Sequence, residues 1–468
     1  MIALVTTSHS SDTRGSTCRP TAYALYVLVV LVLTTLLSYT DRQILSLLVD
    51  PIRHDLGISD TQVGLLLGTA FGFVYGIAGL PFGYLADRTS RRNLIIGGIL
   101  VWSVGTALCG TAAGFASLFL SRMVVGIGES MLIPASISLI SDHFPPRHRG
   151  TAVGVFLSGI AVGSSGAIFF GGLVLRLVDT VGVCFALLHD FAPWRLVLLM
   201  LGVGGLLPAV VLLASVGEPR REPDTGAVTP VHVPSTLVAE IANWRRVAPL
   251  LLGVALISLV DNGILAWTPT LLIREFGWSP GRVGSTLGIP LMLAGGIGVF
   301  SGSFLRDSVR ARFGLRGQFV FCLAAALVAA PLAAAVLSRH AEAVVGGVAA
   351  CMVLSGVITG AGLTAILDTV PDGQRGLVTA ISFFLNVALG AGIGPPAVAA
   401  LKDHVLAPGA SLAVAIAGVW CAGLLVAVAG FFVGARESLA EAADGGSMFK
   451  RIVGAVFHRR HLAAKRSP

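Results

Sequence analysis

The sequence predicts an all-α membrane protein with twelve transmembrane helices in two pseudo-symmetric six-helix bundles. Three observations predict it. First, 55% of the 468 residues are hydrophobic and only 12% are charged, and the mean hydropathy is +0.86; a soluble domain carries about twice that share of charge. Second, apolar stretches long enough to cross roughly 30 Å of hydrocarbon as a helix recur twelve times. Third, the chain repeats itself. At a shift of 220 positions, Asp55–Gly64 lines up with Glu275–Gly284, Asp41 lands on Asp261 and Asp87 on Asp307. At a shift of 226, Ile140-x-Asp142-x-x-Pro145-x-x-x-Arg149-Gly150 meets Ile366-x-Asp368-x-x-Pro371-x-x-x-Arg375-Gly376. Parallel duplication of a membrane domain is a plan suited to carriers with a central path.

Along the chain, residues 1–20 form a polar cytoplasmic tail whose opening apolar run, Met1–Leu4, is too short for a signal peptide. The first bundle, 21–215, holds spans at about 22–48, 61–85, 93–113, 117–140, 151–176 and 193–215. Residues 216–244, with Pro219, Pro223, Pro230 and Pro234 among charges, read as a cytoplasmic linker. The second bundle, 245–433, holds spans at about 246–270, 283–305, 317–337, 342–365, 377–401 and 410–433. In the basic tail, 434–468, Phe449, Ile452, Val453, Val456 and Phe457 form a helical stripe beside Lys450, Arg451, Arg459 and Arg460, the pattern of a helix lying on the inner membrane surface. The 58 glycines permit close helix approach. Six scattered cysteines give neither a disulfide framework nor a metal cluster.

Orientation follows from Lys and Arg. With both termini cytoplasmic, 23 of the 32 fall in inner segments and seven in outer ones, the bias that sets topology. The expected location is a bacterial inner membrane. The net charge of +8 is then matched to anionic lipids, and no nucleic-acid partner is expected.

Gly83-Tyr84-Leu85-Ala86-Asp87-Arg88-Thr89-Ser90-Arg91-Arg92 resembles the cytoplasmic signature of the major facilitator superfamily, with Ser90 where a second glycine is common. Its degenerate copy is Ser303-Phe304-Leu305-Arg306-Asp307, followed by Arg310 and Arg312. The fourth helix carries Leu118-x-x-x-Arg122-x-x-x-Gly126-x-Gly128, similar to another superfamily signature. Within that superfamily, Tyr39-Thr40-Asp41-Arg42-Gln43, Leu56–Gly64 and Gly126-Ile127-Gly128-Glu129-Ser130 resemble the spinster branch. The resemblance implies proton-coupled transport of lysolipid-like or sphingoid-type amphiphiles, driven by the proton gradient without a cofactor, by a chain expected to work as a monomer. Related branches carrying organic anions, sugar acids or drugs share some of these residues. Asp87, Arg88, Arg92, Arg149, Asp307, Arg310 and Arg375, with Gly83, sit where the superfamily closes its cytoplasmic side, which suggests a gate in which Asp87 accepts from a helix N-terminus or pairs with Arg149 or Arg375. For Arg91 and Arg92, ordinary positive-inside charge is an adequate reading.

An ionisable side chain near the bilayer centre costs on the order of 2.5–3.5 kcal/mol. Asp41 and Arg42 on the first helix and Arg122 and Glu129 on the fourth lie well inside the first bundle. Arg122 and Glu129, seven apart, share a helix face; their counterparts in the second half, Val348 and Ser355, are not ionisable. The expectation is a proton switch in which Arg122 moves between Asp41 and Glu129; a fixed structural ion pair is the alternative. Asp261 and Asn262 either bind a head group or satisfy backbone groups at a helix irregularity. Tyr39, Ser130, Thr359 and Asn386 are candidate polar cavity residues, and Arg42 or Arg122 is suited to a phosphate.

A lipid enzyme is disfavoured, since no Ser/His/Asp set, metal-ligand spacing or phosphate-cradling loop is present. A non-transporting receptor gives no reason for paired charges at midplane depth.

Overall fold

The computed structural model describes residues 21–182, 192–218, 244–371 and 374–436. The amphipathic stripe at 449–457 and most of the linker lie outside these residues, as does the side chain of Asp307. Among the described residues, eleven helices are long and apolar enough to cross a membrane, and a bent pair counted as one span makes twelve: α1 (Ala22–Leu47), α2 (Asp60–Ala86), α3 (Arg91–Gly110), α4 (Phe115–His143), α5 (the pair Pro146–Ser164 and Gly166–Leu177, bent by 59°), α6 (Pro193–Ser215), α7 (Val247–Phe276), α8 (Pro280–Gly314), α9 (Gly317–Val336), α10 (Ala341–Thr369), α11 (Arg375–Val405) and α12 (Leu412–Arg436). The fold is the all-α, two-bundle architecture expected. Large apolar side chains such as Leu33, Ile77, Phe300 and Phe304 are exposed on its flank, as a hydrocarbon solvent requires.

The sequence repeat is also a structural repeat. Gly57 and Gly277 both adopt φ near +65°, a left-handed conformation that only glycine takes without strain. Two residues on, Ser59 and Ser279 each cap the next helix, their hydroxyls accepting from the backbone N–H of Gln62 and Arg282. At the opposite end, Arg91 pairs with Asp142 at 2.8 Å, while Arg306 and Arg310 pair with Asp368. Arg149 donates to the Phe144 carbonyl and Arg375 to the Leu367 carbonyl, both at 3.1 Å.

The two bundles meet along two seams of small residues. Along α2 and α11, a Cβ on Gly72 would sit 2.6 Å from the Gly392 nitrogen. Along α5 and α8, a Cβ on Gly172 would sit 2.8 Å from the Gly284 Cα. Backbone-to-backbone packing this close is possible only without side chains. Helix irregularities lie beside the seams and the central space. α2 breaks at Gly68, α4 at Ser130–Met131, and α11 has a π-helical turn over Asn386–Ala391.

Candidate functional site

A cavity of about 280 Å³ lies between the bundles. Its first wall comprises Tyr39 and Arg42 of α1, Tyr75 of α2 and Ser164 of α5. The second includes Ser258, Asp261 and Asn262 of α7, Thr359 of α10 and Asn386 of α11, with apolar surface from Leu265, Val299, Met352 and Phe383. Of the candidate cavity residues, Tyr39, Asp261, Asn262, Thr359 and Asn386 are therefore in place. Ser130 is not. Its hydroxyl donates to the Ile127 carbonyl at 2.7 Å and backs the break in α4, so it supports the helix instead of facing the cavity.

The buried charges are arranged differently from the switch drawn from sequence. Arg42, not Arg122, holds Glu129: Arg42 Nη2 donates to Glu129 Oε2 at 2.7 Å. The Arg42 guanidinium is boxed by the rings of Phe71, Tyr39 and Tyr75, whose centroids lie 4.1, 4.6 and 5.0 Å away. This is a favourable cation–π environment once water is excluded. It fixes the one guanidinium that reaches the cavity. Glu129 sits behind it with a fully buried side chain, and its Oε1 has no hydrogen-bond partner among the described residues.

Asp41 faces away from the cavity. Its Oδ2 accepts from the Thr106 hydroxyl of α3 at 2.6 Å, and Oδ1 has no hydrogen-bond partner among the described residues. Arg122 is buried to 1% exposure and lies near Asp41 electrostatically, with the Phe71 ring 5.5 Å from its guanidinium. Its Nε and Nη2 have no hydrogen-bond partner among the described residues. Buried donors and acceptors left open cost about 1–3 kcal/mol each. The four charges balance, yet several of their polar atoms remain free to accept a proton or a new partner.

A second cluster joins the halves at the end carrying the α1–α2 connection. The Asp60 side chain, 2% exposed, accepts from both terminal nitrogens of Arg274 at 2.8 Å. It also accepts from Lys402 at 2.5 Å, and Arg53 lies 3.4 Å away. Arg274 reaches Asp50 as well, at 2.7 Å, while Asp403 accepts from the backbone and hydroxyl of Thr61 at 2.8 Å. Among the described residues, the ion pairs joining the bundles all lie at this end. Sequence reasoning assigned these residues no role. The available signal was a set of charges at the ends of otherwise apolar spans.

At the other end, the signature arginines serve the first bundle itself. Glu218 caps α3, accepting from the Arg91 and Arg92 backbone N–H groups and the Ser90 hydroxyl at 2.9–3.0 Å. Burial alone would raise its carboxyl, but the hydrogen bonds from Arg92, Ser90 and Arg91 outweigh it and hold the group below its ordinary value. Asp87 is exposed, Arg88 stacks on Tyr84 at 4.2 Å, and Arg149 and Arg375 occupy the carbonyls described above. Gly83 has open space where a side chain would be.

Comparison with known proteins agrees with the fold. The Major Facilitator Superfamily profile matches residues 31–395. An MFS-type efflux pump of Mycolicibacterium smegmatis is 28% identical over 80% of this chain and 84% of its own. The hexuronate transporter of Bacillus subtilis is 27% identical over 80% of this chain and 86% of its own. Protein spinster of Drosophila melanogaster is 27% identical over 66% of this chain but only 49% of its own length. Among solved structures, a bacterial homologue of the human lysosomal transporter Spinster, inward-facing and unoccupied, matches with a TM-score of 0.71. It covers 89% of this chain and 97% of that one at 25% identity. The chain is a multi-pass transporter of the Major Facilitator Superfamily, with spinster proteins among its relatives.

Proposed function

We propose that this chain is a proton-coupled secondary carrier working by alternating access, and that its cargo is a lysolipid-like or sphingoid-type amphiphile. One observation carries the reading: Arg42 faces the cavity while its counter-ion, Glu129, is buried behind it with one oxygen unpartnered. Protonating Glu129 removes the charge that holds Arg42 and frees its guanidinium for an anionic group in the cavity. Releasing that group restores the ion pair and expels the proton. Asp41, hydrogen-bonded by Thr106 and acted on by the Arg122 charge, is a second proton acceptor in the same bundle, turned away from the cavity. In this scheme Arg122 stabilises Asp41 instead of shuttling to Glu129.

Taking the arginine-poor α1–α2 end as periplasmic, the Asp60–Arg274–Lys402 cluster is the outer gate, closed in this structure. The cavity then communicates with the cytoplasm, the arrangement of the inward-facing Spinster homologue. In the opposite state Arg149 and Arg375 leave their carbonyls to meet Asp87, and Arg310 belongs to the matching latch of the second half. Alternating access needs no more than this exchange of partners at the two ends. The cavity's mixture of polar and apolar lining suits an amphiphile.

Sugar acids are the second reading, favoured by the hexuronate relative and by the equal fit of Arg42 to a carboxylate. Uptake by proteoliposomes separates them. With an imposed pH gradient, a labelled lysophospholipid should accumulate and glucuronate should not. Accumulation of glucuronate alone would transfer the assignment to the sugar-acid carriers.

A further inference from the structure

The two walls of the cavity differ in charge. On the first, Asp41 and Glu129 balance Arg42 and Arg122, and the guanidinium that reaches the cavity is already held by Glu129. On the second, Asp261 is the one ionisable group among the lining residues. Its Oδ1 is buried without a hydrogen-bond partner among the described residues. No Lys, Arg or His among the described residues forms an ion pair with it, and its close polar neighbours are the Ser355 hydroxyl and the Cys351 thiol. The amides beside it are engaged elsewhere: Asn262 donates to the Ser258 carbonyl at 2.8 Å, and Ser258 donates to Asn386 Oδ1 at 3.0 Å. Counting Asp41, Glu129 and Arg122 behind the first wall with the lining residues Arg42 and Asp261, three carboxylates face two guanidiniums, and Asp261 is the carboxylate left over, at a depth where an idle charge is costly.

We propose that Asp261 is an ammonium-binding subsite, so that the cavity accepts a hydrophobic molecule bearing a protonated amine. The ammonium donates to the Asp261 carboxylate, with the Thr359 hydroxyl on the same wall as a further acceptor. The apolar body lies against Leu265, Val299, Met352 and Phe383. A charge-assisted hydrogen bond of this kind is roughly twice as strong as a neutral one, and the amine cancels the unbalanced charge. An anionic group on the same ligand would engage Arg42 once Glu129 is protonated, but amine binding at Asp261 does not require it while Glu129 holds Arg42. A sugar acid without an amine would leave Asp261 unmatched. The inference rests on the carrier reading of the same cavity and names the group that reading leaves open.

The test uses the full-length chain in lipid nanodiscs, titrated with octylamine, octanol and octanoate, which share a chain length and differ in head group. Wild type should bind octylamine most tightly. Asp261→Asn should weaken octylamine by about tenfold or more, the equivalent of about 1.4 kcal/mol, and leave octanoate within twofold. Asp261→Glu, which keeps the charge, should restore most of the amine affinity, and unchanged octanoate binding shows that the variants fold. Equal binding of octylamine and octanol to wild type, or unchanged octylamine binding by Asp261→Asn, overturns the proposal. A proton as the sole occupant of Asp261 would give that second result. Failure here is distinguishable from failure of the carrier reading. In the first case pH-driven lysophospholipid uptake persists in wild type and Asp261→Asn alike; in the second no substrate moves in either.

Discussion

Asp60→Asn should open the gate at the α1–α2 end. Asparagine keeps the shape of the side chain, so the change is one of charge. In the closed state Asp60 accepts two hydrogen bonds from Arg274 at 2.8 Å and one from Lys402 at 2.5 Å. Hydrogen bonds to charged groups contribute about 1.5–3 kcal/mol each, but the loss is partly offset. Arg274 retains Asp50 at 2.7 Å, and the side chains of Arg274 and Lys402 are 19% and 23% exposed, so water recovers some of their solvation. A net loss of about 2–3 kcal/mol remains, which shifts the closed-to-open ratio by roughly 30- to 150-fold. The shift can be read as a distance. Spin labels at Thr111 and Arg339, exposed positions in the α3–α4 and α9–α10 connections, sit on opposite bundles at this end. Electron–electron double resonance on a cysteine-free background should show a longer distance population rising in Asp60→Asn. If the distribution matches that of wild type, Asp60 does not hold the bundles together and the gate assignment is wrong.

Three further outcomes follow from packing and charge. Gly172→Ala places a Cβ 2.8 Å from the Gly284 Cα, and overpacking of this kind costs about 1–3 kcal/mol; thermal melting in detergent should fall, whereas an unchanged melt would mean that the α5–α8 seam is loose. Gly390→Ala sets a Cβ 2.2 Å from the Ser258 hydroxyl and 3.1 Å from the Asn262 amide, so ligand affinity should drop by about tenfold while the ion-pair gate is unaffected, as isothermal titration beside the spin-label distance would show. Because the folded-state value of Glu218 lies below its ordinary 4.5, the stability it contributes is present above pH 4.5 and is lost as pH falls through the lowered value. Glu218→Gln should therefore melt earlier than wild type at pH 7, with the gap narrowing under acid. A gap that is constant with pH would show that the Glu218 cap does not depend on charge.

Much of the fold was legible because membrane solvent enforces it. Each span had to be long and apolar, and the repeat located Gly57, Gly277, Ser59 and Ser279 before any coordinates. The site was legible as a set of residues but not as a set of pairs. Asp41 and Arg42 are adjacent, so their side chains point about 100° apart on a helix of 3.6 residues per turn. One meets Thr106 and the other meets Glu129. Nothing in the chain order fixes that rotation, which is why Arg122 was assigned the partner that Arg42 holds. Ser130 was misplaced for the same reason, since the break in α4 turns it to its own backbone. The Asp60 cluster was hidden by distance: its partners lie 214 and 342 positions away, in the other bundle, with no local pattern linking them.

The central claim is that a proton on Glu129 frees Arg42 for cargo. It is tested most directly by comparing accumulation with exchange in proteoliposomes carrying Glu129→Gln. The neutral side chain mimics the protonated state permanently. Counterflow exchange of labelled for unlabelled substrate should continue, while accumulation driven by a pH gradient should disappear. A Glu129→Gln variant that still concentrates substrate in response to the gradient would contradict the account.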